Sequence, residues 1–309
     1  MIGIEAIGTY IPTTRIDNRA RMAKFEIDEE FLMTKTGMLA LAIKDKNEET
    51  SDLCCSAFED LKKKVDLAEG DIECIVVVTQ NPDGNGLPHT SAIVHGKLGL
   101  SSSCAAFDIS QGCSGFVYGL SVIQGFMIAN GFRRGILFTG DPYSKIIDQD
   151  DKNTALLFGD AATATLISDT PEWKTGKFLF GSQGKEGAAI QVSHSSGMLE
   201  MNGRAVFSFS ATQVPNNIKT MLALNHCTID RVDLFVMHQG SRFIVDTLQK
   251  RLSIPSEKAP FSAESYGNTV SSSIPLLLKD VSDSLEIIVI AGFGVGLSWA
   301  STLLFKIKE

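Results

Sequence analysis

Cys113, His238 and Asn268 are the side chains of this sequence best placed, by type and context, to do chemistry. Cys113 stands in Asp108-Ile-Ser-Gln-Gly-Cys-Ser-Gly-Phe, bracketed by Gly112 and Gly115. Glycines there permit a tight turn and a close backbone approach. Residues 109–132 carry no charge, so a buried core helix is expected to begin at or just after the thiol. A thiol at a helix N-terminus meets unpaired N–H groups and the positive dipole end, which favours the nucleophilic thiolate. His238 ends the apolar run 234–237 and is followed by Gln239-Gly240. Strand C-termini are where α/β sheets place their sites. Asn268, in Tyr266-Gly267-Asn268-Thr269, reads alone as a turn residue. Beside a cysteine and a histidine it becomes a candidate amide donor. A glycine loop, Gly292-Phe-Gly-Val-Gly, follows a strand-like run. It is no dinucleotide fingerprint, because another strand follows it and no acidic residue stands at the right distance. Its backbone N–H groups can instead hold an oxyanion.

The rest of the composition bounds the function. The chain has 309 residues, long enough to bury a sizeable core, and is 44% hydrophobic and 21% charged, as globular proteins are. With 28 Lys+Arg against 36 Asp+Glu, the net charge is −8, which argues against a nucleic-acid binder. Cys54, Cys55, Cys74, Cys104 and Cys227 read as small buried hydrophobes. No C-x-x-C is present, so neither a zinc site nor a disulfide framework is expected. His89, His95, His194 and His226 take the ordinary structural reading. The start of the sequence lacks a signal-peptide pattern, and the expectation is a reduced, cytoplasmic protein. The uncharged stretch 109–132 is as long as a membrane span but holds glycines, Gln111, Gln124 and Asn130, so no membrane association is expected.

The elements that must position these residues alternate. Continuous apolar runs at 75–78, 136–138, 234–237 and 287–290 read as strands buried on both faces. Helical segments such as 51–64 and 243–252 lie between them, which means α/β layers. The run Asp71–Val78 leading into Thr79-Gln80 resembles Arg231–Met237 leading into His238-Gln239. The strand ending at Asp141 has its counterpart at 286–292. A duplicated α/β unit explains this economically. The expected halves are 1–169, carrying the cysteine, and 170–309, carrying the histidine and asparagine. Residues 170–200, polar and rich in Gly and Ser, read as connecting loops.

A Cys–His–Asn set has two familiar uses. A papain-like peptidase shares this chain order, but its local cysteine signature is absent. The other use is a condensing enzyme. Gln-Gly-Cys113-Ser-Gly-Phe, Phe158-Gly-Asp-Ala-Ala-Thr-Ala, His238-Gln-Gly, Tyr266-Gly-Asn268-Thr and Gly292-Phe-Gly-Val-Gly-Leu-Ser-Trp run in order over nearly the whole chain. On these motifs the sequence resembles the β-ketoacyl-acyl-carrier-protein synthase III family. The resemblance implies a thiolase-like fold, two duplicated halves in a five-layered αβαβα arrangement, and a homodimer. It implies that Cys113 is acylated from a thioester on coenzyme A or acyl carrier protein. Backbone N–H groups of Cys113 and Val295 would hold the oxyanion. His238 and Asn268 would stabilise the enolate formed as malonyl-acyl-carrier-protein loses carbon dioxide. No metal or organic cofactor is implied. Leu87 matches a position reaching into the partner's acyl pocket, and Phe293 a pocket wall.

The expected entrance departs from the family pattern. Phe31 stands where the family stacks adenine on tryptophan, and Lys35 and Lys152 replace arginines. Ser241 replaces an asparagine, and Phe243 a docking arginine, with Arg242 adjacent. Ser208 replaces a lysine, with Arg204 one helical turn back. Lysine is a poor substitute for a stacking, bidentate guanidinium. This pattern fits a specialised paralogue, and keeps open a transferase that passes its acyl group to a hydroxyl or amine without decarboxylation.

Overall fold

The computed structural model describes residues 1–308. Its strands are β1 (Gly3–Tyr10), β2 (Arg15–Asp17), β3 (Ala40–Ala42), β4 (Cys74–Val78), β5 (Ala105–Ile109), β6 (Arg134–Gly140), β7 (Ala162–Ser168), β8 (Trp173–Thr175), β9 (Leu179–Ser182), β10 (Ile190–Val192), β11 (Leu199–Met201), β12 (Leu234–Met237), β13 (Ile287–Gly294) and β14 (Ser298–Lys306). Six helices build the layers: α3 (Thr50–Lys62), α4 (Thr90–Leu98), α5 (Gly115–Asn130), α7 (Gly203–Leu224), α8 (Arg242–Leu252) and α9 (Ser273–Leu278). Three single turns, α1 (Met22–Phe25), α2 (Glu29–Phe31) and α6 (Lys152–Ala155), sit near the pocket mouth described below.

Every apolar run read as a doubly covered strand is one. β4 and β13 are buried along their whole length. Period-2 alternation divides their side chains between two cores. Ile75 and Val77 face the core shared with Phe58 and Leu61 of α3. Val76 and Val78 face Phe116, Leu120 and Ile123 of α5, together with Ile288 and Ile290 of β13. Val289 and Ala291 turn the other way, toward Ile218 and Met221 of α7.

The strands pair in the order β12-β13-β14-β8-β1-β7-β6-β4-β5, with β9 also on β14. One ladder pair, Ile4 with Trp173, joins the two parts of this path. β1, β4, β5, β6 and β7 form one part, covered on one side by α3 and α4. β8, β9, β12, β13 and β14 form the other, covered by α7, on which α8 packs. α5 and α9 lie between and contact both parts. The layers therefore run αβαβα, the five-layered thiolase-like arrangement. The repeat is visible in the pairing: β4 is parallel to β6, which is antiparallel to β7, just as β12 is parallel to β13, which is antiparallel to β14. A 3₁₀ turn precedes each first strand, at Glu69–Asp71 and Ile229–Arg231.

One reading is corrected. Residues 170–200 are not simply loops, since β8 and β9 extend the main sheet and β10 pairs with β11. Strands of three or four residues carry too few alternations for a period to show, and Gly181 and Ser182 mask β9 further. The buried helix expected just after Cys113 spans Gly115–Asn130, and Ile109 still belongs to β5. Among the described residues no helix is long and apolar enough to cross a membrane.

Candidate active site

Cys113 lies in the turn between β5 and α5, one residue before the N-cap position, Ser114. A Cβ at Gly112 would sit 2.4 Å from Val295 Cγ1, and one at Gly115 2.4 Å from Val78 Cγ1. The glycine bracket thus lets this turn wedge between the two parts of the sheet. A Cβ at Gly294 would fall 2.6 Å from Cys113 Sγ, so only glycine lets the β13 end reach the sulfur. Ser114 Oγ and Ser298 Oγ, 2.8 Å apart, tie the two loops together.

The thiol is buried, and burial pushes its pKa up to about 12. The backbones of Val295 and of Cys113 itself work the other way, while nearby Asp141 adds to the rise. Asp141 is itself raised to about 7 by burial, although Asn81 Nδ2 and the Gln80 N–H donate to its Oδ1. Cys113 is therefore a thiol at neutral pH.

His238 follows the end of β12 and is 3% exposed. Burial lowers its pKa to about 3, so the imidazole is neutral, the Val270 backbone offsetting only part of this. Nδ1 lies 2.7 Å from Ser273 Oγ, and the ring meets Phe293 edge-on at 5.5 Å.

Asn268 is held by the Phe158-Gly-Asp motif. Its N–H donates to Leu157 O (2.8 Å), and its carbonyl accepts from the Gly159 N–H (3.0 Å). A Cβ at Gly159 would collide with Tyr266 O at 1.8 Å, which explains the glycine. Val270 N–H donates to Asn268 Oδ1 at 2.9 Å, which leaves the Nδ2 protons for the pocket. Val270 does this with φ at +54°, a left-handed conformation uncommon for a β-branched residue.

Cys113, His238 and Asn268 open into one cavity of about 340 Å³. Phe293, Val295, Phe31, Lys35, Lys152 and Ser241 line it as well. Ser241 is also the N-cap of α8, accepting from the Ile244 N–H. Lys152 lies 5.2 Å over the Phe31 ring and Lys35 4.2 Å over Phe243, which stacks on Phe207 at 4.8 Å. Three of the expected residues are not in the lining. Arg204 is exposed on the first turn of α7. Arg242 pairs with Glu264 and stacks on Phe261. Leu87 is 93% exposed on the surface. The sequence reading missed Tyr143, Val206 and Ser273. Tyr143 stands three residues past β6, where the strand-end rule that singled out His238 would also have found it.

A five-layered fold with a buried thiol, a neutral histidine and an amide around one cavity defines a thiolase-like condensing enzyme. The chain matches the 3-oxoacyl-[acyl-carrier-protein] synthase III model over residues 107–184 and its C-terminal counterpart over 222–305. It is 33% identical to β-ketoacyl-[acyl-carrier-protein] synthase III of Lactobacillus helveticus, over 98% of both chains. To that of Deinococcus deserti it is 32% identical, over 97% of this chain and 90% of the other. The solved β-ketoacyl-[acyl carrier protein] synthase III of Thermus thermophilus superposes with a TM-score of 0.91 at 29% identity, over 99% of this chain and all of that one. The chain belongs to the 3-oxoacyl-[acyl-carrier-protein] synthase III family, and it is a condensing acyltransferase.

Proposed function

We propose that the cycle runs on Cys113, His238 and Asn268, with malonyl-acyl-carrier-protein as the extender. Cys113 Sγ attacks the donor's thioester carbonyl, and the N–H groups of Cys113 and Val295 hold the oxyanion. The carrier thiol leaves with the proton that the cysteine gives up. Two easier steps thereby replace one hard one. The malonyl thioester then enters and loses carbon dioxide. The electron pair of the broken C–C bond moves onto the thioester oxygen, where His238 Nε2–H and Asn268 Nδ2–H stabilise it. The enolate carbon attacks the acyl-Cys113 carbonyl, the C–S bond breaks, the Cys113 sulfur takes up a proton from water, and a β-ketoacyl thioester departs. The chemistry calls for no metal or organic cofactor, because the thioesters are already activated. What carries this reading is the convergence of all three side chains on one cavity, with the Asn268 amide protons left free.

Further assignments rest on less. A coenzyme A or carrier-protein donor at the mouth is supported by Lys35, Lys152 and Arg204, none of which forms an ion pair among the described residues. The changed rim supports a paralogue with its own primer. A homodimer is supported by β5, a half-buried edge strand with one open side, and by the exposed Leu87, which would complete a partner's pocket. Six free cysteines support a cytoplasmic setting.

Intact-protein mass spectrometry tests the cycle. The protein is incubated with acyl-coenzyme A and acyl-carrier-protein donors, beside Cys113→Ala, and chased with malonyl carrier protein. A Cys113-dependent mass gain, discharged on the chase as a β-ketoacyl product, is expected. A gain that the chase cannot discharge would overturn decarboxylative condensation in favour of transfer to another acceptor.

A further inference from the structure

Enolate stabilisation requires His238 to present a proton on Nε2, yet a neutral imidazole carries only one and can place it on either nitrogen. The choice is made at Nδ1, on the side of the ring that faces Ser273 and Val270. Ser273 is 1% exposed and opens α9. Its Oγ has two acceptors in reach, His238 Nδ1 at 2.7 Å and Val270 O at 3.0 Å. The two are not equivalent. Val270 O already accepts from the Ser273 N–H in the 3₁₀ turn Val270–Ser272. The imidazole nitrogen is nearer, and the only other group set against it is the Val270 backbone.

We propose that Ser273 is a positioning residue that donates its hydroxyl proton to His238 Nδ1 and so keeps the catalytic proton on Nε2. The inference rests on the donor role given to His238 above. The same turn serves the amide: Val270, held at φ +54°, gives its N–H to Asn268 Oδ1 while its carbonyl faces Ser273. One short segment therefore orients both enolate donors, each by occupying the atom that must not face the substrate. Without the hydroxyl, the acceptor left beside Nδ1 is the Val270 carbonyl, which selects the opposite tautomer. Its Nε2 lone pair would then meet the enolate oxygen as a repulsion.

The test uses full-length protein labelled with ¹⁵N-histidine. Two-bond ¹H–¹⁵N spectra read the tautomer, and a His238→Gln variant assigns the signal. Malonyl decarboxylation and Cys113 acylation are measured separately. Wild type is expected to be the Nε2–H form. Ser273→Ala is expected to shift toward Nδ1–H and to lose decarboxylation by on the order of 10²–10³-fold, as loss of one oxyanion donor does, with acylation unchanged. Ser273→Thr, which keeps the hydroxyl, is expected to restore both signal and rate. A Ser273→Ala protein that stays Nε2–H and keeps its decarboxylation rate overturns the proposal. Unimpaired decarboxylation in His238→Ala, which leaves no side-chain donor, would instead overturn the donor role itself, so the two failures are distinguishable.

Discussion

In the proposed cycle Asn268 and His238 act on charge that develops only in the condensing half, and their substitutions should separate the two halves. Asn268→Ala is expected to slow malonyl decarboxylation on the order of 10²–10³-fold, the usual effect of deleting one oxyanion donor, while Cys113 still acylates. A stopped assay of carbon dioxide release beside intact-mass acylation reads the split, and equal loss of both would remove Asn268 from the enolate site. The buried imidazole also has a thermodynamic signature. Its pKa is about 3 in the fold against 6.5 for the free side chain. Below pH 6.5 the unfolded chain therefore binds a proton that the folded chain refuses. Stability falls from that contribution as pH drops from 6.5 toward 3, by up to roughly 1.4 kcal/mol per pH unit. His238→Gln removes it. Denaturant midpoints at pH 7 and pH 5 should show the variant losing about 2 kcal/mol less than the parent over that interval.

The elements that hold the site combine bulk with clearance. α5 is the central slab, and Leu120 is fully buried between the two parts of the sheet. Leu120→Ala is expected to cost about 2–5 kcal/mol in urea unfolding, because a rigid sandwich cannot collapse onto the void. Gly294→Ala has the opposite character. The added methyl meets Cys113 Sγ and Cβ at 2.6 and 2.7 Å, so acylation should vanish by intact mass. Strands covered on both faces were legible in the sequence, because burial writes unbroken apolar runs such as Ile75–Val78. β8 to β11 were not, because strands of three or four residues need no distinctive composition. Cys113, His238 and Asn268 were legible through the motifs around them. Gly159 was visible only as a motif letter, since its reason is the Tyr266 carbonyl, distant in sequence. Ser273 looked like any helix-opening serine, because a hydrogen bond to a histidine 35 residues earlier leaves no local mark.

At the scale of the whole molecule, the open side of β5 and the protruding Leu87 make assembly testable. Sedimentation is expected to give twice the 33.4 kDa chain mass. Phe107→Lys, on the half-buried edge strand, should shift the protein toward monomer and weaken primer binding, while far-UV circular dichroism stays unchanged. A monomer in the parent protein would remove Leu87 from the acyl pocket. The tie between Ser114 and Ser298 also has a consequence in time. Cys113 belongs to the first half of the chain, but Gly294, Val295 and Ser298 complete its surroundings. A ribosome adding about 5–20 residues per second makes those residues roughly 180 positions later, some ten to forty seconds after Cys113. Until that interval ends the nascent chain carries a thiol without the Val295 N–H and without the Phe293 wall of its pocket. The enzyme thus comes into service in one step, when its last strands close over a cysteine that has been waiting.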